Sequence, residues 1–162
     1  MKMKGKAHVY GNDVNTDQIL PGRYLNIAAA EELGKHCMEN FDKEFCSRVK
    51  PGDIIVAGKN YGCGSSREHA PVAIKANGIS CIIANSFGRI FYRNSINIAL
   101  PLIECPGFAA ITEQGDDIEV DLAGGVAANL TKGKEFNFPR YSDVMTDIIN
   151  AGGLIEYTRK TM

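Results

Sequence analysis

Residues 53–84, DIIVAGKNYGCGSSREHAPVAIKANGISCIIA, decide the reading of the fold. Asp53 to Ala57 is a short continuous apolar run that suits a strand buried on both faces, and a glycine-rich loop follows it directly. Arg67 to Ala76 is a helix closed by Asn77-Gly78, and Ser80 to Ala84 is the next buried strand. Strand, loop, helix and strand in that order make a βαβ unit.

Working outward, the pattern repeats: Asn85-Ser86 cap a helix over Phe87 to Asn97, and Leu100 to Glu104 form a further strand. Toward the N-terminus, Lys4 to Tyr10 read as a first strand ended by Gly11-Asn12-Asp13. A long polar loop follows through Thr16, Asp17, Pro21 and Gly22. Ala28 to Met38 form a helix, and Phe41 to Val49 a second short one before the Pro51-Gly52-Asp53 turn. From Gly107 onward the runs alternate: Asp117 to Leu122, Val126 to Leu130 and Glu135 to Phe138 are separated by turns, as in a small antiparallel layer. A last helix spans Ser142 to Ala151, Gly152-Gly153 stop it, and Leu154 to Tyr157 form a short tail. The expected class is α/β, a mixed sheet with βαβ units plus an antiparallel layer, in one domain over residues 1–162.

Composition narrows the function. With 44% hydrophobic residues, 162 residues suffice for one sizeable core. The 18 basic and 19 acidic residues leave a net charge of -1 with no long Lys/Arg block, so nucleic acid is not an expected partner. No run approaches the roughly 20 apolar residues of a membrane span, and Met1 to Gly5 lacks the apolar segment of a signal peptide, which makes the cytoplasm the expected location. Five cysteines with no Cys-x-x-Cys pair encode neither a disulfide framework nor a self-contained zinc or iron-sulfur site. Cys81 and Cys105, at the ends of apolar runs, are expected to pack as small hydrophobes.

The glycine loop fails three familiar patterns. A dinucleotide fingerprint needs a third glycine where Arg67 stands; a phosphate loop needs Gly-Lys-Ser/Thr, but Lys59 precedes the glycines. A hydrolase elbow needs Gly-x-Ser-x-Gly, whereas Ser65 is followed by Ser66-Arg67. Ser65-Ser66-Arg67-Glu68 does match a capping box, yet capping leaves Arg67 unexplained, since a cation in a first turn opposes the helix dipole. An anion site accounts for it. Gly62 and Gly64 allow close backbone approach, the helix start offers free N–H groups, and the Arg67 fork grips a carboxylate with two hydrogen bonds. In such a nest the hydroxyl of Ser65 or Ser66 can be favoured as alkoxide and take a proton from carbon. His69, expected one turn inside the helix, reads as a structural hydrogen bonder, and His8 and His36 show no partner cluster. Cys63 as nucleophile is the rival within the loop, though without an evident histidine-and-amide companion.

Tyr61 to Ala70 resembles the signature of the mobile domain of the aconitase superfamily. Asn15-Thr16-Asp17-Gln18-Ile19 resembles that domain's Thr-Asp motif, and Ser86 to Asn94 (SFGRIFYRN) its second strand-to-helix motif. At this length the chain is similar to the free-standing small subunits of the isopropylmalate dehydratase family. The resemblance implies a swivelling three-layer β/β/α fold and a separate large subunit holding a [4Fe-4S] cluster through three cysteines, with no metal bound by this chain. It implies a hydro-lyase reaction on a small dicarboxylate hydroxy acid, as in leucine biosynthesis, moving a hydroxyl between neighbouring carbons by dehydration and rehydration. Ser65 corresponds to the catalytic base, Arg67 to the substrate-carboxylate arginine, and Ser66 and Gly64 to substrate-binding neighbours.

By the same resemblance, Arg23-Tyr24-Leu25-Asn26-Ile27 form the loop that selects substrate. Relatives acting on a third carboxylate place an arginine where Asn26 aligns, so Asn26 argues against homoaconitate or citrate and fits an isopropyl or methyl group better. Asn26 is more polar than expected for isopropylmalate, which keeps methylmalate and dimethylmalate open. Asp17 is expected to organise its loop, His69 to support the site, and Arg89 and Arg93, four apart on one helix face, to line the cleft or meet the large subunit. The rival of another class is a stand-alone carboxylate-binding module. Self-association of the isolated chain is left open.

Overall fold

Strand β1 (Lys2–Val9) changes partner halfway along, and that change organises the fold. The computed structural model describes residues 2–65 and 67–162. Residues 2–6 pair antiparallel with β5 (Asp117–Asp121), while residues 7–9 pair parallel with β2 (Ile54–Ala57). Beyond β2 lie the parallel β3 (Cys81–Ala84) and β4 (Leu102–Glu104); beyond β5 lie the antiparallel β6 (Val126–Asn129) and β7 (Lys134–Asn137). The sheet order is β4-β3-β2-β1-β5-β6-β7. The antiparallel strands thus continue the parallel sheet rather than forming a separate one. At the crossing point a Cβ on Gly5 would lie 2.2 Å from the Gly52 carbonyl oxygen, so only glycine lets β1 pass the turn before β2.

The sheet curls because both faces of its parallel half need cover. The helices are α1 (Thr16–Ile19), α2 (Ala30–Gly34), α3 (Phe45–Arg48), α4 (His69–Ala76), α5 (Arg89–Asn97), α6 (Asp143–Ala151) and α7 (Leu154–Thr161). Ile55, Ala57, Ile82 and Leu102 face Leu33, Phe45, Ala73, Ile74 and Phe91 of the helical layer. On the reverse face Ile54, Val56, Cys81 and Ile83 pack against Ile118, Val120 and Ala127 of the antiparallel half. Each fully buried isoleucine here contributes about 1.5–3 kcal/mol. The result is the expected β/β/α layering. Cys81 and Cys105 are buried in this second core, and burial pushes the Cys81 thiol up to about 12, as befits space-filling thiols.

Helix starts differ most from expectation. Helix α4 begins at His69, not Arg67, because Pro71 has no N–H to donate to the Arg67 carbonyl and its ring would clash there in a helix. Helix α5 begins at Arg89 with Gly88 at its cap. Asn85 and Ser86 do not cap it: the Asn85 side chain accepts from the Gly107 N–H at 3.1 Å, and the Ser86 hydroxyl from the Asn60 N–H at 2.8 Å. Helix α2 is short, and Met38 turns the chain with φ of 61°. The tail expected after Gly153 is helix α7.

His8 has partners that its sequence surroundings do not reveal. Its Nε2 meets Asp53 Oδ2 at 2.7 Å, both residues buried, and Arg48 Nε donates to its Nδ1 at 3.1 Å. Arginine has no acceptor, so Nδ1 accepts and Nε2 carries the proton given to Asp53. Arg48 continues to Asp42, which also accepts from the Tyr10 hydroxyl at 2.7 Å. Burial alone would raise the Asp53 carboxyl, but hydrogen bonds from His8 and from the Lys50 and Lys6 amides outweigh it and hold the group below its ordinary value. Asp42 is lowered likewise, its burial offset by Arg48 and Tyr10. A carboxylate depressed on folding contributes stability above its unfolded pKa, and that stability is lost as pH falls through the folded pKa. The thermal midpoint should therefore drop below about pH 4, read by circular dichroism melts. Asp53→Ala, which orphans His8, should cost at least about 1–3 kcal/mol near neutral pH and flatten that acid limb. An unchanged limb would remove Asp53 from the account.

Candidate functional site

Three loops leave the C-terminal ends of β1, β2 and β3, and backbone hydrogen bonds lock them together, at the edge where open parallel sheets bind ligands. The Gly62 N–H donates to the Val14 carbonyl at 2.7 Å, and the Thr16 N–H to the Cys63 carbonyl at 2.9 Å. On the other side the Tyr61 N–H donates to the Ser86 carbonyl at 3.1 Å, and the Gly88 N–H to the Tyr61 carbonyl at 2.9 Å. The middle strand of this arrangement is the glycine loop. A Cβ on Gly62, whose φ is 81°, would fall 2.2 Å from Phe91 Cγ, and one on Gly88 would fall 2.6 Å from the Gly62 carbonyl oxygen. Gly64, with φ of 95°, turns the chain toward Ser65.

Ser65 is exposed in this turn, and its carbonyl accepts the Thr16 hydroxyl at 2.8 Å. It does not cap α4, since Glu68 occupies the cap position, and among the described residues no side-chain capping hydrogen bond is made there. Ser66 lies outside the described residues. Arg67 precedes the helix instead of sitting in its first turn, which removes the conflict with the dipole. Its guanidinium turns to Asp17 in an ion pair, approaches the Leu20 carbonyl at 3.4 Å, and packs so closely on Gly22 that a Cβ there would be 3.1 Å from Nη1. The side chain of Arg67 is 16% exposed and that of Asp17 is 62% exposed. Such a half-open pair adds little stability, so its consequence is aim: Asp17 holds Arg67 beside Ser65.

The remaining candidates separate. Arg89 and Ile90 line an open cleft of about 300 Å³ together with Ser65, Arg67 and Cys63. Arg93 is exposed one turn further along α5 and does not line it. His69 is the first residue of α4, half-buried. The loop expected to select substrate, Arg23 to Ile27, follows Gly22, which packs on Arg67, and its first two residues are already engaged. Tyr24 donates its hydroxyl to Glu39 Oε2 at 2.5 Å, and Arg23 Nη2 meets the same oxygen at 2.8 Å. His36, read from sequence as partnerless, stacks on Tyr24 with ring centroids 3.8 Å apart. The Tyr24 hydrogen bond leads the interactions that hold the Glu39 carboxyl below its ordinary value.

Two contributors escaped the sequence reading. Thr16 was assigned no contact, yet its hydroxyl anchors the serine turn. Its helix was readable: Asn15 and Gln18 form a reciprocal capping box, an Asn-x-x-Gln version of the familiar signature. Glu39 has only His36 as a local partner, because Arg23 and Tyr24 reach it from another loop. Among the described residues no three His, Cys, Asp or Glu side chains converge as a metal-ligand set. Among the described residues no helix is long and apolar enough to cross a membrane.

Residues 19–106 match the aconitase C-terminal domain model. A 3-isopropylmalate dehydratase small subunit from Caldicellulosiruptor bescii is 58% identical over 98% of this chain and 96% of its own length. A 2,3-dimethylmalate dehydratase small subunit from Eubacterium barkeri is 54% identical over 99% of both chains. The solved structure of a 3-isopropylmalate dehydratase from Methanocaldococcus jannaschii superposes with a TM-score of 0.94 at 45% identity, covering 99% of this chain and 95% of that one. The matched region contains the glycine loop, Arg67 and the second motif, and the chain belongs to the aconitase C-terminal domain family.

Proposed function

We propose that this chain is the small subunit of a two-chain hydro-lyase that isomerises 2-isopropylmalate to 3-isopropylmalate, with Ser65 as base and Arg67 as carboxylate holder. The convergence of three loops on one exposed serine beside an aimed arginine carries this reading. The cleft is built for part of a reaction: it offers a fork for one carboxylate and a hydroxyl for one proton, and it is open rather than enclosed. The large subunit would carry the [4Fe-4S] cluster and supply Lewis acidity toward the departing hydroxyl. Every other step assigned to this chain is its own. Arg67 fixes the substrate, Thr16 and the glycines fix the turn, and Ser65 takes the proton from the carbon adjacent to the one that bears the hydroxyl, then delivers a proton to the other carbon on rehydration.

A second substrate is favoured by one observation. The Eubacterium relative acts on 2,3-dimethylmalate by its name, and Asn26 here is not the apolar residue expected against an isopropyl group. Steady-state assays of the chain reconstituted with a cluster-loaded large subunit, on isopropylmalate, dimethylmalate and homocitrate, decide between them. The higher kcat/KM is expected on isopropylmalate and none on homocitrate; preference for dimethylmalate would move the assignment within the family. Arg67→Lys keeps the charge but loses the fork, so KM should rise about 10–100-fold with a smaller change in kcat.

A further inference from the structure

We infer that Glu39 is a positioning residue for substrate selection, holding the start of the 23–27 loop against Arg67 before any substrate or partner arrives. The inference rests on the dehydratase reading for its consequence but not for its geometry. One carboxylate oxygen of Glu39 takes both the Tyr24 hydroxyl at 2.5 Å and Arg23 Nη2 at 2.8 Å. Its other oxygen meets His36 Nδ1 at 3.3 Å, and the His36 ring lies flat on the Tyr24 ring, 10° from parallel. The Arg23 guanidinium covers the Tyr24 ring at 4.8 Å. Tyr24 is thus held at its hydroxyl and at its ring.

The clamp is itself anchored to the site. Met38, fully buried and next to Glu39, donates its N–H to the Ile19 carbonyl at 2.8 Å, at the end of the helix that bears Asp17. Asp17 pairs with Arg67, and Gly22 packs on that same guanidinium. Glu39 therefore ties the loop to the frame that aims Arg67. The loop divides in consequence. Arg23 and Tyr24 spend their polar groups on Glu39, and Ile27 packs on the helical core, whereas Leu25 and Asn26 are exposed. Discrimination between substrate side chains falls to Leu25 and Asn26, at a distance from Arg67 that the clamp fixes. Removing the clamp loosens that distance without touching Ser65.

The test uses the reconstituted pair and the chain alone. In the pair, Glu39→Ala should raise KM for 2-isopropylmalate about tenfold, with kcat within about twofold. Tyr24→Phe should raise it in the same direction, and the double variant should be no worse than Glu39→Ala, since the two share one interaction. Glu39→Gln, which keeps an acceptor for the tyrosine, should recover most of the loss. In the chain alone, hydrogen exchange at residues 22–27 should quicken in Glu39→Ala. Unchanged exchange overturns the clamp, and unchanged KM, or a fall in kcat alone, overturns its part in selection. If the wild-type pair acts on no malate derivative, the dehydratase reading fails, and the exchange measurement still judges the clamp.

Discussion

Ser65→Ala should lower kcat of the reconstituted pair about 1,000-fold while leaving KM within about threefold, because it removes a proton acceptor used in the transition state and not a ground-state contact. The structure makes this a clean experiment. Ser65 is held through its carbonyl, which Thr16 grips, and its side chain caps no helix. Alanine therefore keeps the turn and deletes the hydroxyl. Melting temperature and assembly with the large subunit should be unchanged, which separates lost chemistry from lost folding. Near-normal turnover would return the proton transfer to another group.

Gly62→Ala should have the opposite character, failing through structure. The added Cβ would fall 2.2 Å from Phe91 Cγ and 2.7 Å from its Cβ, and Phe91 is buried at the start of α5. The left-handed φ adds its own strain for any side chain. Overpacking of about 1–3 kcal/mol together with about 1–2 kcal/mol of backbone strain predicts a loss of roughly 2–5 kcal/mol, measured by urea unfolding. Activity should fall with stability, because the same contact brings the second motif against the serine turn. A loss below about 0.5 kcal/mol would mean that the loop relaxes freely and does not hold the site.

What the sequence made legible follows from what is local. The apolar runs of β2 and β3 are buried on both faces, and their pairing is the parallel one that the βαβ reading requires. Helix α6 starts and stops where Ser142 and Gly152 signal, with the Ser142 hydroxyl accepting the Met145 N–H at 3.2 Å and Gly152 at φ of 97°. The glycine loop and Arg67 stood out by residue type and order, whereas the choice of Ser65 over Ser66 rested on the family resemblance. What local pattern obscured was decided by distant partners. Strand β1 divides its pairing between β2 and β5, which no alternation within residues 2–9 announces. Asn85 and Ser86 look like caps but serve Gly107 and Asn60 across loops. His8 and His36 looked solitary because Asp53, Arg48 and Tyr24 reach them from elsewhere in the chain. One error was avoidable: Pro71 already barred a helix starting at Arg67.

That correction matters for function. An arginine in the first turn of a helix suggested a bound anion to resolve its charge conflict; outside the helix, Arg67 is satisfied by Asp17 while retaining a planar fork beside Ser65. On the proposed reading Ser65 and Arg67 are the proton-accepting and carboxylate-holding half of a site, and the large subunit would supply the half that removes a hydroxyl.

The central claim is that this chain is half of a hydro-lyase active site, and a titration tests it most directly. A fixed amount of cluster-loaded large subunit is mixed with rising amounts of this chain, and conversion of 2-isopropylmalate to 3-isopropylmalate is followed. Each chain alone should be inert, and activity should rise and saturate near equal amounts of the two. No activity at any ratio, with dicarboxylate bound tightly by this chain alone, would contradict the account and leave a stand-alone binding module in its place.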